Sequence, residues 1–195
     1  MTHHSLPAEF DPVKHLPLVV DLDGTLVMRD TLHDLFLDMA KRCPWNFLKI
    51  PYWYVWGGRP NVKYHLARYL KVDPQKLSFN KALVKLLEIE KKSSRRLILA
   101  TGANEKVAHD IADHLKLFDV ILGSTRTVNL TGPRKTQKLV ELYGECGYLY
   151  AGNAKIDRFV WEKSAGIIVV NPDPGVDALA IQLGKKLTSP VFLLS

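Results

Sequence analysis

The chain is poor in cysteine: Cys43 and Cys146 are the only two among 195 residues, and they stand in no C-x-x-C spacing. That excludes a disulfide-framed secreted module or a zinc ribbon, and it predicts reduced thiols in a cytoplasmic setting. Nowhere do about 20 apolar residues run together, so no membrane-spanning helix is predicted. The N-terminal stretch carries Pro7, Glu9, Asp11 and Pro12 without an apolar core, and no signal peptide is expected. Repeats and low-complexity tracts are absent. Zinc-finger spacings and basic runs interleaved with aromatics are missing too, which argues against a nucleic-acid reader. Acids are outnumbered: 20 Asp and Glu face 27 Lys and Arg, for a net charge of +7. Such a surface attracts phosphorylated small molecules or an anionic membrane face, both ranked here ahead of nucleic acid. The densest basic cluster, Lys91, Lys92, Arg95 and Arg96, reads as a solvated hinge before a strand.

What is present is an alternation of short apolar runs and amphipathic stretches. Strands are predicted at 16–21, 97–101, 120–123, 148–151 and 167–170, and helices at 105–117, 134–143, 156–163 and 176–186. This order predicts an α/β fold, a parallel Rossmann-like sheet with helices on both faces. The first crossover is anomalous. Residues 31–93 hold no convincing strand, far more chain than one connecting helix needs. Helices are expected at 31–41, 45–55, 61–70 and 79–91, with Asn61 capping the third and Pro60 and Pro74 marking loops. One domain with an insertion fits the length: a core of 1–30 and 94–195, and an inserted unit of 31–93.

The most telling segment is Leu18-Val19-Val20-Asp21-Leu22-Asp23-Gly24-Thr25-Leu26. An apolar strand delivers two carboxylates, two positions apart, into a glycine turn, at the sheet rim where open α/β sheets bind ligands. Acids this close repel unless a cation or a shared proton sits between them. An EF-hand is excluded, because Met28 and Leu32 stand where that loop needs Gly and Glu. Three further segments follow in order. Leu97-Ile98-Leu99-Ala100-Thr101-Gly102 ends a strand in a hydroxyl, Gly132-Pro133-Arg134-Lys135 opens a helix, and Tyr148-Leu149-Tyr150-Ala151-Gly152-Asn153 leads to Asp157. Singly, Thr101 could satisfy a turn, Lys135 could be a surface lysine and Asp157 a helix-start acid.

Together the four segments resemble the motifs of the haloacid dehalogenase-like superfamily, in particular its phosphoserine-phosphatase-like members. The resemblance implies a Mg2+-dependent phosphomonoester hydrolase with a small helical cap inserted after the first strand. It implies Asp21 as the nucleophile that becomes an aspartyl-phosphate, Asp23 as acid and base, and Lys135 as the charge beside both. Thr101, Gly102 and Lys135 would hold the substrate phosphate. Asp21, Asp23 (through its backbone carbonyl), Asn153 and Asp157 would hold Mg2+. Most relatives carry Gly-Asp where this chain has Gly152-Asn153. The neutral amide still offers a hard oxygen but no charge, so weaker metal binding is expected unless Asp157 compensates. The alternatives are a phosphotransferase with the same nucleophile, or a catalytically weak phosphate-binding or regulatory module.

A narrower resemblance is to the hydrolase domain fused, in some bacterial proteins, to UbiA-type prenyltransferases; there the Gly-Asn variant is usual. It implies a prenyl- or sugar-phosphate substrate and peripheral contact with a membrane or a membrane enzyme. One stretch suits this. Trp45, Phe47, Tyr52, Trp53, Tyr54 and Trp56 fall within twelve residues of the insertion, with Lys49 among them. These rings could build the cap's own core, contact an apolar substrate group or meet a bilayer interface.

Overall fold

Six short apolar runs pair side by side in parallel in the computed structural model, which describes residues 5–33, 39, 44–69 and 72–194. They are β1 (Leu18–Val20), β2 (Leu97–Asn104), β3 (Val120–Ser124), β4 (Leu149–Gly152), β5 (Gly166–Val170) and β6 (Val191–Leu194), in the order β3-β2-β1-β4-β5-β6. The expected parallel α/β sheet is present, with one strand more than predicted. β6 is a four-residue edge strand after Pro190, too short for its pattern to declare itself. β2 also outruns its predicted end, because after a register shift Asn104 still pairs with Ser124.

The four inner strands are buried on both faces, and their period of two sorts the side chains into two cores. Leu18 and Val20 of β1, with Leu97, Leu99, Ala151 and Ile168, face one cluster; Val19, Ile98, Tyr150 and Ile167 face the other. The first cluster is covered by α1 (Ile50–Tyr69), α2 (Lys81–Lys92) and α3 (Glu105–Leu115), through residues such as Leu66, Leu86 and Ile111. The second lies under α4 (Pro133–Tyr143), α5 (Arg158–Trp161) and α6 (Val176–Leu187), through Leu139, Trp161 and Ala180. The predicted helix at 156–163 is thus a 3-10 turn, Lys155–Asp157, followed by the short α5.

The long first crossover is helical where it is described. Residues 31–33 are helical, and most of the helix expected at 31–41 lies outside the described residues, as does Cys43. A 3-10 turn, Pro44–Lys49, leads into α1, which continues through Pro60 with a kink at Gly58, where φ is +62°. The two helices expected as separate are thus two helical stretches that meet at the non-helical Gly58. Asn61 is not their cap. Its Nδ2 donates to the Trp53 carbonyl at 2.8 Å, and its Oδ1 accepts from Arg126 Nε at 3.1 Å, which ties the helix across the kink and to the loop after β3. The real caps are Asn80, whose Oδ1 accepts from Leu83 N at the start of α2, and Asn104, which serves Lys106 N at the start of α3.

In the basic cluster before β2, Lys92, Ser93, Ser94 and Arg96 are exposed, as a solvated loop requires, but Arg95 is not. Arg95 is 6% exposed, with its Nε 2.6 Å from Glu90 Oε2 and its NH1 donating to the Leu16 carbonyl. Lys91 pairs with Asp119, whose other oxygen accepts from Leu97 N. The cluster pins the end of α2 to the start of β2. Glu90→Ala would leave the Arg95 guanidinium buried without its counter-charge, and a loss of about 3–5 kcal/mol is expected in denaturant unfolding.

Candidate active site

β1 is the central strand, paired with β2 on one side and β4 on the other, so the strand order reverses beside it. Crevices at the carboxyl ends of strands flanking such a switch point are where α/β sheets bind ligands. Here a cleft of about 470 Å³ opens, lined by Asp21, Asp23, Gly102, Lys135, Asn153 and Asp157 among others. Six residues singled out in four separate segments therefore share one cavity. Thr101 does not line it. That residue is fully buried behind the cleft wall, with its Oγ1 accepting from Ala103 N at 2.9 Å.

Asp21 follows the last residue of β1, and its amide still bonds to the Ala151 carbonyl of β4 at 2.9 Å. Alternation from Val19 places its side chain on the α4 face of the sheet. There Lys135, in the first turn of α4 and 3% exposed, sets its Nζ 2.9 Å from Asp21 Oδ1. Leu22 N donates to the same oxygen, while Oδ2 has no hydrogen bond among the described residues. Lys135 Nζ also donates to Tyr150 Oη at 2.8 Å, and Tyr150 in turn donates to Asp157 Oδ1 at 2.9 Å. Burial, then the charge of Asp157, holds the Tyr150 phenol well above its ordinary range, so it keeps its proton for that bond.

Asp157 is spoken for. Its second oxygen, Oδ2, accepts from both Asn153 N and Ala154 N, so the carboxylate shapes the loop that carries Asn153. Gly152 permits this approach: a Cβ there would lie 2.6 Å from Asp157 Oδ2. Asn153 Oδ1 accepts from Thr25 Oγ1 at 3.1 Å. Gly24, with φ at +76°, takes the left-handed turn that brings Thr25 back, and a Cβ on it would meet the Asn153 amide at 2.4 Å. Among the described residues no three His, Cys, Asp or Glu side chains converge as a metal cage.

Asp23 is held differently. Its Oδ1 accepts from Thr31 N at 2.8 Å. Burial pushes its carboxyl up to about 6; the Thr31 amide pulls the other way, and the charge of Asp21 adds to the rise. A carboxyl poised there can exchange a proton near neutral pH, the property a general acid and base needs.

Two participants escaped the sequence reading. Lys63 reaches from α1 across to the core, its Nζ donating to the Gly102 carbonyl at 2.6 Å and to Asn129 Oδ1 at 3.2 Å, and it lines the cleft. Burial lowers its pKa. Nothing local marks it out from other lysines. Tyr150 was quoted only as a strand residue, although a phenol placed on a buried strand three positions before Asn153 was the available signal. Tyr150→Phe would strip Asp157 Oδ1 of its donor and Lys135 of one acceptor. A stability loss of about 1–3 kcal/mol is expected, read as a lowered Tm.

With this geometry in place, comparison with known proteins adds the following. No family model matches the chain. An uncharacterized protein of Sinorhizobium fredii, y4nM, is 37% identical over 158 residues, which are 80% of this chain but only 30% of that protein. Among solved structures, a HAD-family hydrolase of Salmonella enterica serovar Typhi superposes with a TM-score of 0.59 at 13% identity, over 90% of this chain and 68% of that one. A phosphoserine phosphatase carrying a phospho-aspartyl intermediate analogue gives 0.57 at 12% identity, over 92% and 93%. The chain thus shares the fold of these hydrolases.

Proposed function

We propose that this chain is a Mg2+-dependent phosphomonoester hydrolase that works through an aspartyl-phosphate on Asp21. The observation that carries the reading is Asp21 itself. One oxygen is fixed by Lys135 and the Leu22 amide, and the other has no hydrogen bond at the rim of the cleft. That is how a carboxylate nucleophile has to be presented: oriented, charge-compensated and open. The shared fold with a phosphatase solved as a phospho-aspartyl analogue supports it.

In this reading Asp21 Oδ2 attacks phosphorus in line with the leaving oxygen. Asp23, its carboxyl raised by burial, gives that oxygen a proton and later takes one from the water that cleaves the acyl phosphate. Lys135 offsets charge on Asp21 and on the phosphoryl oxygens. Gly102 lines the cleft and would steady the phosphate from β2, with Thr101 behind it holding the Ala103 amide.

The donor set fits a hard cation. The Asp21 carboxylate, the Asp23 backbone carbonyl and the Asn153 side-chain carbonyl would offer oxygens of the kind Mg2+ takes while retaining several waters. Asp157, with both oxygens hydrogen-bonded, would act behind Asn153, by water or by holding its loop. Bound there, Mg2+ would neutralise charge between the nucleophile and the phosphoryl group.

We read 31–93 as the cap and 1–30 with 94–195 as the core. The likeness to UbiA-fused hydrolase domains favours a prenyl or sugar phosphate as substrate. The exposed free thiol of Cys146 suits the reducing cytoplasm.

Asp21→Asn should lower turnover of p-nitrophenyl phosphate by about a thousandfold or more and abolish trapping by fluoroberyllate. Silence of the unaltered chain toward sugar phosphates, phosphoamino acids and prenyl phosphates at millimolar Mg2+ would instead leave a phosphate-binding module. Asn153→Asp adds a charge at the cation site and should shift the Mg2+ midpoint of activity to lower concentration. Identical midpoints would remove Asn153 from the ligand set.

A further inference from the structure

The aromatic segment of the insertion divides by face. Trp53 is 4% exposed and stacks on His65 at 4.6 Å, so one side of α1 is already seated in the core. Trp45, Leu48, Tyr52, Val55 and Trp56 lie on the outside, with both tryptophans more than 70% exposed. Tyr54 is exposed as well, so from Tyr52 to Trp56 every ring and aliphatic side chain but Trp53 faces solvent. Only Trp53, of the aromatics considered as core fillers, serves that purpose fully. A contiguous apolar surface of this kind marks an interaction site.

Charge says what covers it. Between Met39 and Val72 there is no Asp or Glu, while Lys41, Arg42, Lys49, Arg59, Lys63, Arg68 and Lys71 fall in that span; of the described ones Lys49, Arg59 and Arg68 are exposed, and Lys63 is turned into the cleft. The other 161 residues hold 20 basic and 20 acidic side chains, so the whole net charge of +7 belongs to this one segment. Tryptophan and tyrosine beside lysine and arginine is the composition of a surface lying at the headgroup level of a bilayer, with rings at the polar boundary and cations toward lipid phosphates. A second copy of the chain would bring two acid-free basic segments together, which like-charge repulsion opposes. No described helix is long and apolar enough to cross a membrane, so contact would be from one side.

We propose that the outward face of Pro44–Lys49 and the first turns of α1 docks on an anionic lipid bilayer. Lys63 lies seven residues beyond Trp56 on the same helix and lines the cleft, so the docked face and the active site share one element.

The test uses the full chain with vesicles of phosphatidylcholine alone or mixed with phosphatidylglycerol. Co-sedimentation with the anionic vesicles is expected, together with a blue shift of tryptophan emission. Because Trp53 and Trp161 are already buried, that shift reports Trp45 and Trp56. Added salt should release the protein, since exposed charges are screened. Replacing both exposed rings, Trp45→Ser with Trp56→Ser, should weaken binding about tenfold or more while circular dichroism and Tm stay unchanged. Equal binding to neutral and anionic vesicles, undiminished binding by the double variant, or a dimer in solution that the double variant abolishes would each overturn the assignment. Vesicle binding needs no turnover, so its failure leaves the catalytic reading untouched.

Discussion

Two carboxylates at the end of one buried strand cannot coexist there without compensation, and the remainder of the site is organised around supplying it. Lys135 compensates Asp21 directly and is itself held by Tyr150, which leans on Asp157. The chain of four polar groups runs under the cleft floor, from nucleophile candidate to loop anchor, with each hydrogen bond between 2.8 and 2.9 Å. Asp23, lacking a cation of its own, takes an amide bond from Thr31 and keeps a raised pKa instead.

The insertion is joined to this floor rather than set loosely above it. Lys63 and Asn61 on α1 reach the Gly102 carbonyl and Arg126 of the sheet side, and α2 is locked to β2 through the Glu90–Arg95 pair. The position of α1 is therefore tied to the cleft wall by the bond from Lys63 to the Gly102 carbonyl. The outer side of the first turns of α1 carries the exposed side chains of Tyr52, Val55 and Trp56, within the segment of sequence that holds the surplus positive charge.

Most of the architecture was legible. Val-, Ile- and Leu-rich runs of four to eight residues, separated by amphipathic stretches, are how a sheet buried on both faces announces itself. The exceptions have local causes. β6 is too short to show a period, Pro60 was read as a loop although a kink at Gly58 accommodates it within a helix, and Asn61 spends its amide on Trp53 and Arg126 instead of a helix start. The candidate site was readable wherever a residue closes a strand or opens a helix, as with Asp21, Lys135 and Asn153. Away from the site, the burial of Arg95 was missed, because its partner Glu90 sits inside a helix with nothing to flag it.

By itself, the order of residues determined the strands, the crossover helices and the set of polar groups delivered to one edge of the sheet. These depend on hydrophobic period and turn chemistry, which act over a few neighbours. Tertiary structure alone decided that Asp157 spends its oxygens on Tyr150 and two amides, that Lys63 crosses to Gly102, and that Trp45 and Trp56 face outward while Trp53 does not. Hydrogen-bond partners and burial are settled by proximity between distant segments, 128 residues apart in the bond from Thr25 to Asn153, and no local pattern encodes that distance.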